Sequence, residues 1–346
     1  MEILINFKHT SKRLVLNDLN SVKNREDKST LIIESLFPER FLSEEIAHPE
    51  EVKLLALCLS FDSNENSNCG GNCVSKYLDS GCKDCFTWYS KYTNTLCAGI
   101  TKFQNLETLI AVDLDLSTDL WIEFANNSKC LREIYFDSMR PGCKDYDNFC
   151  WWDNKEAALD ALFHIPTLEK VYVGYRICMA YFPPGPSNIK YLYLHVECDE
   201  EDKEMSYEIY AQNLHTHKNI KTLILTKGNP NAYNILDLKL DQMQLEELNL
   251  ENAYIEDIPM FLNSLPSSIK KIKFLWFNNN IPIEKIINTL RVLGIEEIEI
   301  ITNSTDADSA DKYLNQMKDQ LQEKLKVWKK FVFLDNNDKV FFDVLK

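Results

Sequence analysis

Glycine is scarce, with nine in 346 residues. A loop that cradles phosphate on backbone N–H groups needs several glycines close together, so phosphate-loop chemistry is excluded. Neither H-E-x-x-H nor G-x-S-x-G occurs, which removes the zinc-protease and nucleophile-elbow arrangements. Positive charge is also short. Lys and Arg number 38 against 53 Asp and Glu, giving a net charge of −15 and an isoelectric point near 5.0. Binding to nucleic-acid phosphates needs a basic surface, so nucleic acid is not an expected partner. No apolar run approaches the roughly 18 residues that span a membrane; the longest, Leu54 to Leu59, has the length of a strand. Met1 to Phe7 is too short for a secretory leader and lacks a basic start. The expectation is an intracellular, cytoplasmic protein. Its 11 cysteines, an odd number, then read as reduced and mostly buried thiols.

What the chain does have is a recurring phrase: apolar, two free positions, apolar, one free position, apolar. The clearest copy is Leu245-Glu-Glu-Leu248-Asn-Leu250. Others start at Val52, Leu106, Leu131, Leu168, Ile189, Ile220, Ile269 and Ile295, with a degenerate copy at Trp328/Phe331/Phe333. Several consecutive starts lie about 25 residues apart, within the leucine-rich repeat period. The step from Val52 to Leu106 is about two such periods, which reads as one overwritten copy. Alternation at the second and third anchors makes a strand with one buried face. A lone strand cannot hide that face, so each copy must lie beside the next.

The segments between copies read as helices. Asp257 to Leu265 carries Ile258, Phe261, Leu262 and Leu265 at helical spacing. Pro282 to Leu293 starts with Pro and stops at Gly294. Ser117 to Asn127, Asn154 to His164 and Asp199 to His215 follow suit. The predicted fold is α/β: a curved parallel sheet on the concave side and helices on the convex side of a solenoid.

From Val52 to Asp335 the chain resembles the leucine-rich repeat superfamily. Leu265-Pro-Ser-Ser-Ile-Lys-Lys-Ile-Lys-Phe274 followed by Phe277-Asn-Asn-Asn-Ile-Pro-Ile283 is similar to one FNIP-type repeat. The Asn or Cys usual after the third anchor is present at Asn252 but missing from most copies. The resemblance implies a protein-interaction scaffold without catalysis of its own.

A solenoid is one continuous unit, so one domain is expected despite the length. Residues 1–50 read as an N-terminal cap, 51–305 as the solenoid with a Cys-rich insert at about 62–100, and 306–346 as a C-terminal helix and closing strand. Lys12 to Leu16 reads as a capping strand and Ser29 to Phe37 as a helix. Leu36-Phe-Pro-Glu-Arg-Phe41 bears a faint similarity to an F-box, but the Leu-Pro opening is absent. Asp306 to Lys326 places Tyr313, Leu314, Met317, Leu321 and Leu325 on one helical stripe, with Phe331 to Leu334 as the closing strand.

Cys69-Gly-Gly-Asn-Cys73 and Cys82-Lys-Asp-Cys85 sit in the insert. Two thiol pairs at turn spacing can present four sulfurs to one structural zinc. They fit unligated loop thiols more plainly, and a disulfide in an oxidising setting also fits. No other cofactor is expected.

The free position between the second and third anchors reads Ile110, Tyr135, Tyr172, Tyr193, Ile224, Asn249, Lys273, Glu299 and Val332. Tyrosine occupies three successive copies, flanked by Tyr175, Tyr191 and His195. An exposed tyrosine cluster is typical of an interface centre; the plainer alternative is that the rings cover the sheet and stack on one another. Trp151 and Trp152, in the insert from Met139 to Asp153, either anchor that loop or touch a partner. Charges alternate further on, Glu247, Lys271, Glu297 and Lys330 in one column and Asn249, Lys273 and Glu299 in the next. That pattern is a self-neutralising ladder.

His195 lies near Cys198, and His215 and His217 flank Thr216. Nucleophilic catalysis would also need an orienting group and a pocket, which an open sheet rarely supplies. The expectation is a monomeric, non-catalytic scaffold that binds a protein on its concave face, with the acidic charge compatible with a basic partner. A ubiquitin-ligase substrate adaptor and a zinc-stapled regulatory protein are the alternatives.

Overall fold

A computed structural model describes residues 29–35, 48–59, 99–112, 118–137, 152–173, 182–196, 207–227, 235–251, 258–277, 289–290, 292–302, 330–335 and 340–345. The chain divides into two compact units, residues 1–170 and 171–346. The division falls within strand β5, Lys170–Val173.

In the first unit, β1 (Thr30–Ser35), β2 (Leu54–Leu59), β3 (Thr108–Val112) and β4 (Glu133–Asp137) pair in sequence order, each parallel to the next. Helix α1 (Thr118–Asn127) joins β3 to β4, and α2 (Trp152–Phe163) packs against α1. In the second unit, β6 (Tyr191–Val196), β7 (Thr222–Lys227), β8 (Glu247–Glu251), β9 (Lys271–Phe277), β10 (Glu297–Thr302) and β11 (Lys330–Asp335) are again parallel in sequence order. Helix α3 (Tyr207–Thr216) and the short α4 (Ile258–Asn263) form two of the connections. A final strand, β12 (Val340–Leu345), turns back antiparallel on β11. The architecture is therefore α/β with parallel sheet pairing. Among the described residues no helix is long and apolar enough to cross a membrane.

The phrase falls on these strands in register. Leu55 aligns with Leu109 and Leu109 with Ile134; Leu192 aligns with Leu223, Leu223 with Leu248, and Leu248 with Ile272. Each of these anchors is essentially fully buried, which stabilises the fold by roughly 1.5–3 kcal/mol per large side chain. The first anchor lies just ahead of its strand and is equally covered, as at Val52, Leu131 and Leu245.

A backbone device repeats with the phrase. The carbonyl one residue after the first anchor accepts two N–H groups from the next copy. Lys53 O takes Glu107 N and Thr108 N, Glu107 O takes Arg132 N and Glu133 N, and Lys221 O takes Glu246 N and Glu247 N, all at 2.8–3.0 Å. The residue just before the first anchor adds a side-chain latch to the preceding copy. Thr167 Oγ1 donates to Leu131 O at 2.7 Å, and Ser268 Oγ donates to Leu245 O at 2.6 Å. Asn105 and Asn219 do the same through Nδ2, to Glu50 O and Ser187 O. Carbonyls between layers are thereby satisfied.

Two expectations change. Ser29 to Phe37 is not a helix: Thr30–Ser35 is strand β1, with Leu31 facing Leu55 and Ile33 facing Leu57. Ser29 O accepts Lys53 N and Leu54 N, so this is one more copy of the phrase, whose first anchor is the polar Lys28. β2 pairs directly with β3, as the overwritten copy between Val52 and Leu106 allows. Finally, β11 does not close the sheet, because β12 follows it.

Helix expectations hold at α1, α2 and α4. The helix expected over 199–215 is described from Tyr207. Gly294 ends its segment with φ of 70°, the left-handed stop expected there. The capping strand at 12–16, the F-box-like stretch at 36–41, the cysteine insert and the helix at 306–326 lie outside the described residues, as do 282–288.

Candidate functional site

Alternation along a strand sends the free positions to the face opposite the anchors. Strand register assembles them into columns. Tyr191, Thr222, Glu247, Lys271, Glu297 and Lys330 form one; Tyr193, Ile224, Asn249, Lys273, Glu299 and Val332 form the next. His195, Thr226 and Glu251 begin a third.

The tyrosines of the second unit meet as neighbouring strands require. Tyr172 and Tyr193 stack with ring centroids 3.9 Å apart and planes 22° from parallel. Tyr193 is not an exposed ring, however, retaining only 6% exposure. Its hydroxyl donates to Glu251 Oε2 at 3.1 Å. Glu251 lies two strands away, a distance of roughly 9.6 Å at parallel spacing. The phenol must therefore lie across β7, and Ile224, in its own column on that strand, is buried. Tyr172 and Tyr191 are half-buried. The Tyr191 phenol is pushed up to about 12, first by burial and then by the negative charges of Glu247 and Glu251.

Tyr135 belongs to the first unit and is also bonded to a carboxylate, here on its own strand. It is 7% exposed, and its hydroxyl donates to Glu133 Oε2 at 3.1 Å. The other oxygen of Glu133 holds Lys170 Nζ at 2.6 Å. In each unit a central tyrosine is thus covered and tied to a carboxylate. Of the tyrosines read from the sequence as an exposed cluster, Tyr135 in the first unit and Tyr193 in the second are each buried, and Tyr172 and Tyr191 in the second unit are half-buried.

His195 is in β6 opposite Thr226, and nothing of its side chain is described. Trp152 opens helix α2. Trp151, Tyr175, Cys69, Cys73, Cys82 and Cys85 lie outside the described residues.

The charge ladder is present. Lys271 Nζ meets Glu297 Oε2 at 3.0 Å, and Lys273 Nζ meets Glu299 Oε1 at 2.8 Å. The hydrogen bond to Glu297 raises the Lys271 ammonium above its ordinary range. A further column, one position earlier, went unread in the sequence. Lys53 Nζ pairs with Glu107 Oε1 at 2.8 Å, and the Glu107 carboxyl is held low chiefly by its hydrogen bond to Lys53. Lys221 pairs with Glu246 at 3.3 Å in the same position of the second unit.

Sequence reading also missed Asn249 and the two acids beside it as a group. Asn249 is 8% exposed and gives its Nδ2 to Glu247 Oε1 at 3.3 Å. Its Oδ1 is buried with no hydrogen-bond donor among the described residues. The signal was present as column position, because Asn249 lies between Glu247 and Glu251 on one strand face.

The histidines are structural in their bonding. His217 is 1% exposed; Nδ1 lies 2.6 Å from Ser187 Oγ and Nε2 lies 2.8 Å from Pro183 O. The carbonyl can only accept, so Nε2 carries the proton and Ser187 donates to Nδ1. His215 Nε2 likewise bonds Leu238 O at 2.8 Å. The His217 contacts tie Pro183 and Ser187 to the residue just after α3, and the His215 contact ties α3 to Leu238. Among the described residues, the His/Cys/Asp/Glu group able to gather on a metal is His48, Glu50 and Glu51. All three are exposed and at ion-pair distances of 3.3 and 3.4 Å, an ordinary surface arrangement.

No family model matches the chain, and no curated protein matches it.

Proposed function

We propose that each unit is a run of leucine-rich repeats and that the protein is a non-catalytic scaffold for a protein partner. Several features support the repeat reading. The strands follow sequence order, the anchors align in register, and one backbone device recurs from copy to copy. The partner contacts the sheet face of β5 to β8 through Tyr172 and Tyr191. The observation that carries this is the two half-open rings, Tyr172 and Tyr191, beside the buried Tyr193, on which Tyr172 stacks and whose hydroxyl is tied to Glu251. Such rings contribute large, stiff apolar area plus a hydroxyl, the combination that dominates protein interfaces. The bonding of His217 and His215 to main-chain carbonyls favours a structural over a catalytic role for both.

The test is affinity capture with mass spectrometry using wild type and a Tyr172→Ala/Tyr191→Ala variant. These two rings are half-open, so the variant should keep its circular dichroism and melting profile while losing one set of partners. A partner set identical to that of wild type would overturn the assignment. Tyr193 is left intact because it is buried.

A further inference from the structure

A buried imidazole holds the proline-rich segment that leads into β6. His217 is the first residue past α3 and is 1% exposed. Segment 182–189 is seated on it and on its neighbours. Asn213 Nδ2 donates to Phe182 O at 2.7 Å, His217 Nε2 to Pro183 O at 2.8 Å, and Asn219 Nδ2 to Ser187 O at 2.7 Å. Gly185 N donates to Thr216 Oγ1. A Cβ on Gly185 would lie 2.9 Å from the Thr216 main chain, closer than such atoms pack. Ser187 Oγ donates to His217 Nδ1 at 2.6 Å, and the imidazole meets the Phe182 ring edge-on with centroids 5.3 Å apart.

This bonding requires a neutral imidazole. The one ring proton is on Nε2, facing a carbonyl, and Nδ1 accepts from the serine. A second proton would set an N–H on Nδ1 against the serine O–H, and it would enclose a charge, which is costly. The described groups bonded to or stacked on the ring, Ser187, the Pro183 carbonyl and Phe182, are uncharged. Lys190 and Lys218, on the stretches that flank the seat, are exposed and carry the same sign as a protonated ring, so they oppose it. Lys221 pairs with Glu246 at 3.3 Å, and His215 is bonded to Leu238 O.

We propose that this seat is an acid-released clamp, in which a proton taken up by His217 frees Pro183 to Ser187 and loosens the entry to β6. The neutral ring is held and the charged ring is not. The clamp therefore contributes fully above the ordinary imidazole range, about 6.5, and is lost as pH falls below it. Turning the Ser187 hydroxyl to accept from Nδ1–H would keep one bond, but the charge would stay enclosed.

Hydrogen exchange of the full chain, read by mass spectrometry as protection factors, is the test. Stretch 182–190 should lose protection roughly thirtyfold from about pH 7.5 to about pH 5, the factor by which an imidazole of ordinary range gains its proton over that span. Strand β8 should hold its protection. His217→Gln, which has no titrating proton, should remove the fall. Asn213→Ala cuts a clamp bond without a titratable group, so protection should drop at every pH while the fall remains. Should His217→Gln not fold, the ring-proton resonance of His217 decides. It should keep its neutral position to about pH 5 in the closed protein, and titration there in the ordinary range of about 6.5 would overturn the proposal. So would an absent fall in wild type, an equal fall in β8, the same fall in His217→Gln, or a flat profile in Asn213→Ala.

Discussion

Removing one oxygen from Tyr193 tests how the carboxylate on β8 is held. Tyr193→Phe keeps the ring, its stack on Tyr172 and its cover over Ile224, so the apolar burial is unchanged. What goes is the O–H donated to Glu251 Oε2. A hydrogen bond to a charged group contributes about 1.5–3 kcal/mol. The contact is 3.1 Å long, whereas the strongest hydroxyl–carboxylate bonds are nearer 2.5–2.7 Å, so the lower end, about 1.5 kcal/mol, is expected. Glu251→Gln keeps the shape and an acceptor while removing a buried charge, so it should cost less than Tyr193→Phe. Tyr193→Phe made in the Glu251→Gln background should then cost only about 0.5–1 kcal/mol. Urea unfolding of the four proteins by circular dichroism gives the double-mutant cycle. Tyr193→Phe as stable as wild type, or an equal loss in both backgrounds, would refute the role assigned to this pair.

Other consequences can be checked on the same material. The Tyr191 phenol has an ordinary pKa of 10.0 and a folded value of about 12. Between those values the folded chain holds a proton that the unfolded chain has lost, so stability should fall as pH rises through that window and be unaffected below it. Up to about 2–3 kcal/mol is at stake, and Tyr191→Phe should flatten that part of the stability–pH curve. Ser268→Ala and Thr167→Val each delete a latch to the preceding copy. Each should lower stability by about 1 kcal/mol and speed amide exchange in the two copies it joins; unchanged exchange would show the latches to be idle. Gly294→Ala meets no atom within 4 Å but sits at φ of 70°, so a loss of about 1 kcal/mol in a thermal melt is expected from backbone strain alone.

The anchors were legible because burial writes them directly. A position that must be apolar in every layer leaves the same mark each time, and Leu55, Leu109, Ile134, Leu223, Leu248 and Ile272 all carry it. β1 was misread for the same reason inverted. Its first anchor position is Lys28, so the mark is incomplete, and Leu31-Ile32-Ile33 taken alone fits helix or strand equally well. β12 left no mark of the phrase because an antiparallel return needs no helical crossover and shares no layer position with the copies before it. The charge ladder was legible in the columns of Lys271 and Lys273, where unlike charges alternate in adjacent copies. The earlier column of Lys53 and Glu107 obeys the same rule and was missed because it precedes the strand.

The free positions were legible as to face but not as to cover. A column states which residues are neighbours; it does not state whether a long side chain stands up from the sheet or lies along it. Tyr193 lies along it, because a carboxylate two strands away offers its hydroxyl an acceptor, and Glu251 is separated from it by 58 residues of sequence. Ile224, on the strand between, is buried. That contact also divides a row of similar tyrosines into two kinds. Tyr193 becomes floor, where substitution should register as lost stability, while Tyr172 and Tyr191 remain at the rim, where it should register as lost binding. A substitution series that found the same phenotype at all three positions would mean that the ring of Tyr193 stands upright and that the carboxylate does not direct it.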